Sequence, residues 1–361
     1  MLDVNRISVL AILIVGGLQG PHTAQKAAGP IDVKLMLGQP VQSGPVTIVP
    51  IESAVPIARE KYLTFAEASK MGLVEIVEMP GQEEVNSLEV RNKSKLPILL
   101  FAGELLLGGK QDRIVAKDSI VPALERRDVP VFCVEHGRWE GKPVFQSGDT
   151  FVPDTVRSTA LRSSDQVQVW AQVAQSNKAV MAAPATGTIR GTLNDTKTKA
   201  ASDRLLVGIN ARFTPTSRTV GVICCINGKI ESADIFANPN LFAQSKSKLF
   251  HSYALDAALS SSARSTLVDL KACNAFLKQI VSARRQSAGE SRDGRAYLVN
   301  SNGVEGYEYG NGRFNGGLSL SPKAVTGGSA ASGTITLSSG AGGAGGFGHG
   351  TYKPAPGKSG G

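Results

Sequence analysis

The chain has 361 residues, of which 42% are hydrophobic and 19% charged, and this composition excludes general disorder. Its formal net charge of +9 arises from 39 lysines and arginines against 30 acidic residues. The basic residues are scattered, and no zinc-finger, RNP-like or basic-zipper pattern accompanies them, so we do not predict nucleic-acid binding. Without its two unusual ends the chain keeps roughly 290 residues, which one large domain can absorb.

The two ends differ in character from the rest of the chain. An apolar run from Ile7 to Leu18 is shorter than the roughly 20 residues that span a bilayer, and it matches the apolar core of a signal peptide. We therefore predict a signal peptide over residues 1–28, an exported, extracytoplasmic protein and no further membrane span. The alternative is that this run forms a buried first strand. Residues 326–361 are rich in glycine and serine, which predicts a disordered, dispensable tail.

The cysteines and histidines show no metal-binding spacing. Cys224 and Cys225 are adjacent, so on a strand they point to opposite faces and suit neither a CxxC metal site nor a disulfide with each other. The other two cysteines, Cys133 and Cys273, are isolated in the sequence. We predict no metal and no cofactor.

The front of the domain is rich in strand signals. The sequence predicts strands over residues 44–51 and 73–78, two or three strands between 87 and 121, and another over 129–139. Thr64 and Glu67 form a capping box for a short helix. Ser163 and Gln166 form a second capping box, which opens a longer helix. Residues 186–204 are polar without periodicity and are predicted to be a loop.

The rear of the domain mixes hairpins and helices. Asn227-Gly228 predicts a tight hairpin that pairs Ile226 with Lys229 and Cys225 with Ile230. Asn238-Pro239 supplies a cap and a first-turn proline for a helix that ends near Leu259. A further helix is predicted from Ser262, and its buried stripe would be Leu267, Leu270, Asn274, Leu277 and Val281. Short strands over residues 296–309 follow.

These elements favour one fold class. The strands are joined by hairpins, alternating βαβ units and a P-loop are missing, and no GxGxxG motif occurs before the glycine-rich tail. The sequence therefore predicts a single large α+β domain, in which a largely antiparallel sheet built from hairpins packs with several helices.

Residues 101–113 carry the first concentration of polar side chains. If Gly108-Gly109 is a two-residue hairpin turn, Glu104 faces Arg113 and Gln111 shares their side of the sheet, while Lys110 and Asp112 lie on the other. In a structural interpretation the Glu104–Arg113 pair only sets the hairpin register. In a functional one the guanidinium grips a phosphate or carboxylate beside an apolar pocket.

Residues 131–139 place five kinds of functional group within seven positions. Cys133 can act as a nucleophile if His136 or Arg138 lowers its pKa, although a cysteine on an apolar strand is more often a small buried hydrophobe. Glu135 is a candidate base. Trp139 beside Arg138 can stack on a base over a bound phosphate, or it can be a core aromatic.

These motifs carry a family resemblance. The segments Gly103-Glu104, 109–113 and 133–139, together with Asp234-Ile-Phe236 and 249–253, resemble a bacterial family of domains associated with ADP-ribosylglycohydrolases and the rhodanese-phosphatase superfamily. The resemblance covers residues 35–320. It implies a context of NAD and ADP-ribose metabolism, and it brings no established catalytic residue.

Two functional hypotheses follow, and whether the protein is an enzyme stays open. In the first, the two segments build a pocket that binds or processes a small phosphorylated ligand such as ADP-ribose or a related nucleotide. Its candidate catalytic residues are Glu104, Cys133 and Glu135, and its candidate ligand-binding residues are Lys110, Gln111, Arg113, His136, Arg138 and Trp139. In the second, the protein is a non-catalytic exported structural or interaction module, and the polar motifs only organise the fold.

Overall fold

In the computed structural model, the described residues lie almost entirely within the predicted domain. The described residues are 34–54, 61–79, 86–163, 165–260, 265–291, 294–301, 303–310 and 317–322. The predicted signal peptide and the predicted tail lie outside these ranges, so both stay predictions. Within the described ranges, no helix is long and apolar enough to cross a membrane.

Local capping signals define most helix starts in the described chain. The helices are α1 (Phe65–Lys70), α2 (Asp154–Ser163), α3 (Gln166–Ala179), α4 (Arg190–Leu193), α5 (Thr196–Asn210), α6 (Pro239–Leu259) and α7 (Leu270–Ser282). The capping box predicted before α1 is confirmed, since Thr64 and Glu67 bond each other's backbone N–H. The Asn238 cap of α6 is confirmed as well, and that helix ends at Leu259 as predicted.

Three helix predictions are wrong, each for a local reason. Asp165, rather than Ser163, caps α3 by accepting a hydrogen bond from the Val167 N–H, because Ser163 still belongs to α2. The region predicted as a loop contains α4 and most of α5. The buried side of α5 includes the polar residues Thr198 and Ser202, so it shows no apolar periodicity.

The third error concerns α7, which begins at Leu270 rather than at Ser262. Asp269 caps it by accepting from the Lys271 N–H. Leu267 and Leu270 are exposed, and the buried stripe is instead Cys273, Phe276, Leu277 and Ile280. The predicted stripe began too early because it placed the first turn in the extended segment before the helix.

The strands of the described chain form three sheets. They are β1 (Leu35–Leu37), β2 (Val41–Ser43), β3 (Val46–Ser53), β4 (Leu63–Thr64), β5 (Val74–Val77), β6 (Ser87–Asn92), β7 (Ile98–Leu100), β8 (Glu104–Gly108), β9 (Arg113–Val115), β10 (Ser119–Val121), β11 (Arg126–Cys133), β12 (Phe145–Phe151), β13 (Thr219–Ile226), β14 (Lys229–Phe236), β15 (Arg285–Ser291), β16 (Gly294–Ser301), β17 (Val304–Gly310) and β18 (Gly317–Pro322). The nine-stranded sheet has the order β1-β3-β13-β14-β18-β17-β16-β15, with β2 on β3. The six-stranded sheet runs β12-β8-β9-β11-β6-β5, and the small sheet runs β10-β7-β4.

All strand pairings found in the described residues are antiparallel except that of β4 with β7. The predicted α+β class with a largely antiparallel sheet is confirmed. So is the hairpin at Asn227-Gly228, where Ile226 pairs with Lys229 and Cys225 with Ile230. Both turn residues have positive φ, +54° and +77°, as a type I′ turn requires.

Apolar side chains from the sheets and helices make three cores. The largest joins the nine-stranded sheet to α6 and α7, for example through Ile223, Phe250 and Phe276. The two faces of the six-stranded sheet support the other two cores, one closed by α1 and one by α2 and α3. The hairpin β8–β9 and strand β11, which carry most of the predicted site residues, therefore lie between two buried layers.

Candidate functional site

The hairpin predicted to pair Glu104 with Arg113 has a different register. Leu106, not Glu104, faces Arg113, and the connection between β8 and β9 spans residues 109–112 rather than two glycines. The longer loop forms because the Asp112 carboxylate accepts a hydrogen bond from the Gly108 N–H (3.1 Å) and so closes the turn with a side chain. The predicted Glu104–Arg113 ion pair is wrong.

Glu104 binds a different cation, on α6. Its Oε1 accepts a hydrogen bond from Lys248 Nζ at 3.0 Å, and its Oε2 accepts from the Phe101 N–H at 2.9 Å. The Glu104 side chain is 2% exposed. It therefore ties the start of β8 to α6.

Gln111, Arg113 and Cys133 lie together and are buried. Arg113 Nη1 donates to the carbonyl and the side-chain oxygen of Gln111, and Cys133 is the cross-strand neighbour of Arg113. Burial raises the pKa of the Cys133 thiol to about 11, although the charge of Arg113 opposes this. The thiolate needed for nucleophilic attack is therefore scarce at neutral pH.

Two carboxylates and two arginines form what we call the Asp112 cluster: Asp112, Glu135, Arg138 and Arg190. Asp112 is fully buried and binds Arg190 through Nε (2.5 Å) and Nη2 (2.8 Å), and Arg138 through Nη2 (3.3 Å). Arg138 also donates to Glu135 through Nε at 2.9 Å. Parts of both guanidiniums reach the surface, since the side chains of Arg138 and Arg190 are 28% and 44% exposed. In the Asp112 cluster, the guanidiniums of the two arginines are therefore held in fixed positions by the two buried carboxylates.

The remaining predicted residues surround this cluster. Burial would raise the pKa of Glu135, but hydrogen bonds from Arg138, the Asp112 N–H and Thr186 outweigh it and lower the pKa, so this carboxylate is ionised at neutral pH. His136 packs edge-on against Trp170, with ring centroids 4.4 Å apart. Lys110 and Trp139 are exposed. The structure therefore brings the segments 110–113 and 133–139 together and leaves Glu104 with α6.

A second buried group of charges, the Arg157 network, comprises Asp154, Arg157, Asp234 and Tyr253. Arg157 donates to both carboxylate oxygens of Asp234, at 2.7 and 2.6 Å, and through Nε to Asp154 at 3.0 Å. The Tyr253 hydroxyl donates to Asp234 as well. Burial alone would lower the pKa of Arg157, and the two carboxylates outweigh it and raise that pKa well above its usual value. The network joins α2, β14 and α6.

The backbone conformation and the surroundings of residue 103 explain why a glycine precedes Glu104 in the sequence. Its φ is +85°, and a Cβ at this position would lie 2.6 Å from Cγ of Arg157. The guanidinium stem therefore passes directly over the backbone of residue 103. We expect Gly103→Ala to lower the free energy of unfolding by about 1–3 kcal/mol, through backbone strain and displacement of Arg157.

Gly72→Ala is the matched control, and urea unfolding is the measurement. Gly72 has a similar φ of +68°, but nothing lies within 4 Å of a Cβ at that position. It should show only the backbone effect, about 1 kcal/mol or less. Equal losses for the two variants would contradict the contact with Arg157.

A cleft of about 490 Å³ lies beside the Arg157 network, between α2, α3, α6 and the β13–β14 hairpin. Most of its lining residues carry a hydroxyl, amide or carboxyl group, and about half of the wall surface is apolar. The lining residues are Asp154, Thr155, Ser158, Thr159, Arg162, Gln172, Gln175, Ser176, Ala179, Cys224, Ile226, Asn227, Ile230, Glu231, Tyr253, Asp256, Leu259 and Ser260. On α2, α3 and α6 the lining residues are mostly three or four positions apart, so each helix lines the cleft with one of its faces.

Two carboxyl groups of the cleft have unusual pKa values. Burial and the nearby charge of Asp154 raise the pKa of Asp256 to about 7, although the hydroxyl and N–H of Thr155 donate to it. Glu231 is exposed, and partial desolvation at the cleft together with the charge of Asp154 raises its pKa. Strand β14 contains a β-bulge, in which Glu231 is an extra residue without a pairing partner on β13. Because of the bulge, the consecutive residues Ile230 and Glu231 both line the cleft.

Sequence reasoning missed Asp112, Arg190 and every carboxylate of the cleft. Asp112 was assigned to a strand face and not to the turn that it closes. One signal for the cleft was available: the spacing Asp154, Ser158 and Arg162 is a polar stripe on a helix. Asp256 carries no such signal, because its significance depends on the contact with Thr155 of another helix.

No metal site is evident in the part of the chain that the structure describes. There, no group of three or more histidine, cysteine, aspartate or glutamate side chains is arranged to hold a metal ion. Asp256 of the cleft and the carboxylates of the two clusters are held instead by arginine and by hydroxyl and backbone N–H donors.

Fold and sites together define the class of this protein: a single α+β domain with two arginine–carboxylate clusters and a polar cleft. The chain belongs to the family of ARG and Rhodanese-Phosphatase-superfamily-associated Protein domains, whose family model matches residues 34–318. This confirms the resemblance noted in the sequence. A search of curated proteins and a search of solved structures find no match to the chain. The family description records an association, and the activity of the domain is not established.

Proposed function

We propose that the domain binds a small phosphorylated ligand of nucleotide size, such as ADP-ribose, in the cleft beside the Arg157 network, and that Asp256 exchanges a proton with it. One observation carries the proposal: a cleft of ligand size contains a carboxyl group whose pKa, about 7, lies at neutral pH. The family association with ADP-ribosylglycohydrolases supports the choice of ligand class.

The walls of the cleft suit the parts of such a ligand. Hydroxyl and amide side chains, among them Ser158, Gln172 and Gln175, can bond ribose hydroxyls, and carboxylates are good acceptors for them. Ile226 and Ile230 offer apolar surface for a base. Arg162 on α2 is 39% exposed and is the cation of the wall. Volumes of about 300–1,000 Å³ are usual for sites of this kind.

The charge of the cleft decides where a phosphate could bind. Arg157 is shared between Asp154 and Asp234, and Asp256 is protonated for part of the time at neutral pH because of its raised pKa. Glu231 adds a carboxylate, so the phosphate would bind at the Arg162 end of the cleft, where it would replace Glu305 as the partner of the guanidinium. A carboxyl group that is half ionised near neutral pH can both give and accept a proton, which general acid–base catalysis requires. Glu231 would supply the second carboxyl group that glycosidic hydrolysis uses.

The Asp112 cluster is a second candidate place for the phosphate, as the sequence predicted for Arg138. The N–H groups of Arg138 all donate within the protein, so the phosphate would bind to Arg190, which Asp112 immobilises through Nε and Nη2 and which would therefore lose little freedom on binding an anion. Trp139 lies next to Arg138 in the chain and is 43% exposed, which would permit stacking. Lys110 and His136 belong to the same neighbourhood.

The test is calorimetric titration of the full chain with ADP-ribose and with ribose 5-phosphate at pH 7. Binding in the cleft predicts that Glu231→Gln and Arg162→Gln each raise Kd by about 10- to 100-fold, through loss of a charge-assisted hydrogen bond. Arg190→Gln should leave Kd unchanged. The matched control is Arg204→Gln, an exposed arginine on α5 that does not line the cleft.

Two other results of the titration would contradict the cleft assignment. If Arg190→Gln weakens binding and the two cleft variants do not, the ligand occupies the Asp112 cluster and the cleft assignment is wrong. If neither compound binds at about 1 mM, the proposal fails. That result would favour the alternative function, an exported structural or interaction module whose polar motifs only organise the fold.

A further inference from the structure

Two cysteines that are far apart in the sequence meet inside the domain. Cys225 on β13 and Cys273 on α7 have their Sγ atoms 3.9 Å apart, and both side chains are fully buried. The sulfurs of a disulfide are about 2.0 Å apart, so closure needs a relative movement of about 2 Å. Nothing in the sequence predicted this pair, because 48 residues separate the two positions.

The neighbouring cysteine is excluded from this pair by strand geometry. Cys224 precedes Cys225 on β13 and lines the cleft, on the other face of the nine-stranded sheet. β13 itself is regular at this point, since the extra residue of the bulge belongs to β14. Cys133 ends β11 in the six-stranded sheet. The four thiols of the chain thus include one pair in contact.

The environment also differs between the two members of the pair. The contact between the two thiols lowers the pKa of Cys273, whereas the same contact, with burial, raises the pKa of Cys225. Cys273 lies in the first turn of α7, which follows the exposed residues 265–267. Cys273 is therefore the member with more thiolate, and it lies nearer to an exposed end of its helix.

We propose that Cys225 and Cys273 are a redox pair that closes into a disulfide between β13 and α7 in the presence of a small-molecule disulfide such as oxidised glutathione. Because Cys273 is fully buried, the step requires the first turn of α7 to open. The exposed Cys273 thiolate then attacks one sulfur of the oxidant, forms a mixed disulfide and releases one thiolate. Cys225 then loses its proton and attacks Cys273 Sγ, which releases the second thiolate. Two protein thiols are oxidised by two electrons, and the oxidant is reduced to two thiols.

Closure would fasten α7 to the nine-stranded sheet. The helix packs on that sheet through Phe276, Leu277 and Ile280, and the bond would add a covalent link at its first turn. A link across 48 positions restricts the unfolded chain, so we expect the oxidised protein to melt about 5–10 °C higher than the reduced protein. This inference is independent of the ligand proposed for the cleft.

The experiment oxidises the folded full chain with oxidised glutathione after removal of reductant. Thiols are then counted in denaturant, and the unreduced protein is digested for peptide mass mapping. We expect the count to fall from four to two and one linked peptide to contain Cys225 and Cys273. Reduction should restore four thiols and the lower melting temperature.

Cys224→Ala is the matched control, and Cys273→Ala is the blocking variant. The control should still form the linked peptide and keep one free thiol, that of Cys133. The blocking variant, altered on α7 and not in the sheet, should keep three thiols and show no rise in melting temperature. The proposal is overturned if folded protein keeps four thiols, if glutathione stays attached without closure, if the linked peptide contains Cys133, or if Cys224→Ala abolishes the linked peptide.

Discussion

Arg157→Met should lower the free energy of unfolding by about 3–5 kcal/mol, because it leaves buried carboxylates without their cation. Asp154 and Asp234 are each within 3.0 Å of the guanidinium, and all three side chains are less than 10% exposed. The measurement is the urea midpoint and slope of the full chain at pH 7.

Two further variants separate charge from packing. Arg162→Met alters the same helix, but its ion pair with Glu305 is largely exposed, so we expect a loss below about 1 kcal/mol. The triple variant Arg157→Met, Asp154→Asn, Asp234→Asn removes the stranded charges and should recover part of the loss, because neutral groups are less costly to bury than ions. A triple variant less stable than Arg157→Met would mean that packing, not charge, holds the network.

Asp256→Asn should change the pH dependence of stability more than any other carboxyl variant of the cleft. The pKa of Asp256 is about 7 in the folded protein and 3.8 in the unfolded one, so the folded state binds more protons. Its contribution to stability is therefore full below about pH 4 and is lost as the pH rises to about 7. Asparagine does not titrate, so between pH 4 and 8 the variant should gain about 2–4 kcal/mol relative to the wild type.

Asp195→Asn is the control of opposite sign. Asp195 caps α5, and the hydrogen bonds from the N–H and hydroxyl of Thr198 lower its pKa, so its contribution is present above about pH 4 and lost only below that. The difference between this variant and the wild type should be constant from pH 5 to 8. Parallel stability curves for Asp256→Asn and wild type over pH 4–8 would show that Asp256 titrates at its ordinary pKa.

A segment rich in polar side chains can indicate a charge cluster, but it does not identify all the residues of that cluster. The segment 133–139 was correctly singled out as unusual, and Glu135 and Arg138 bond each other in the Asp112 cluster. Their partner Arg190 is 52 positions beyond Arg138, in a region predicted as a loop, so the cluster was not predictable as a set. Similarly, the family motifs at Gly103, Asp234 and Tyr253 were noted separately, and they converge on Arg157.

Two hairpins show where local information is sufficient and where it is not. At Asn227-Gly228 the turn residues alone fix the conformation, and the predicted register is correct. At Gly108-Gly109 the same reasoning fails, because the Phe145 ring covers Gly109 and the Asp112 side chain closes a longer loop. The Phe145 ring and the Asp112 carboxylate, which Arg138 and Arg190 hold in place, therefore outweigh the preference of Gly-Gly for a two-residue turn.

The sequence by itself determined the antiparallel α+β class, the family, the caps of α1 and α6 and the hairpin after β13, because each depends on neighbouring residues or on a motif. The tertiary structure alone decided which charges meet and which cysteines touch. It places Asp256 against Thr155, Asp234 against Arg157 and Cys225 against Cys273, pairs that lie 101, 77 and 48 positions apart. Burial and contact shift the pKa values of Asp256, Arg157 and the two cysteines, and both are properties of packing between elements, which no local pattern encodes.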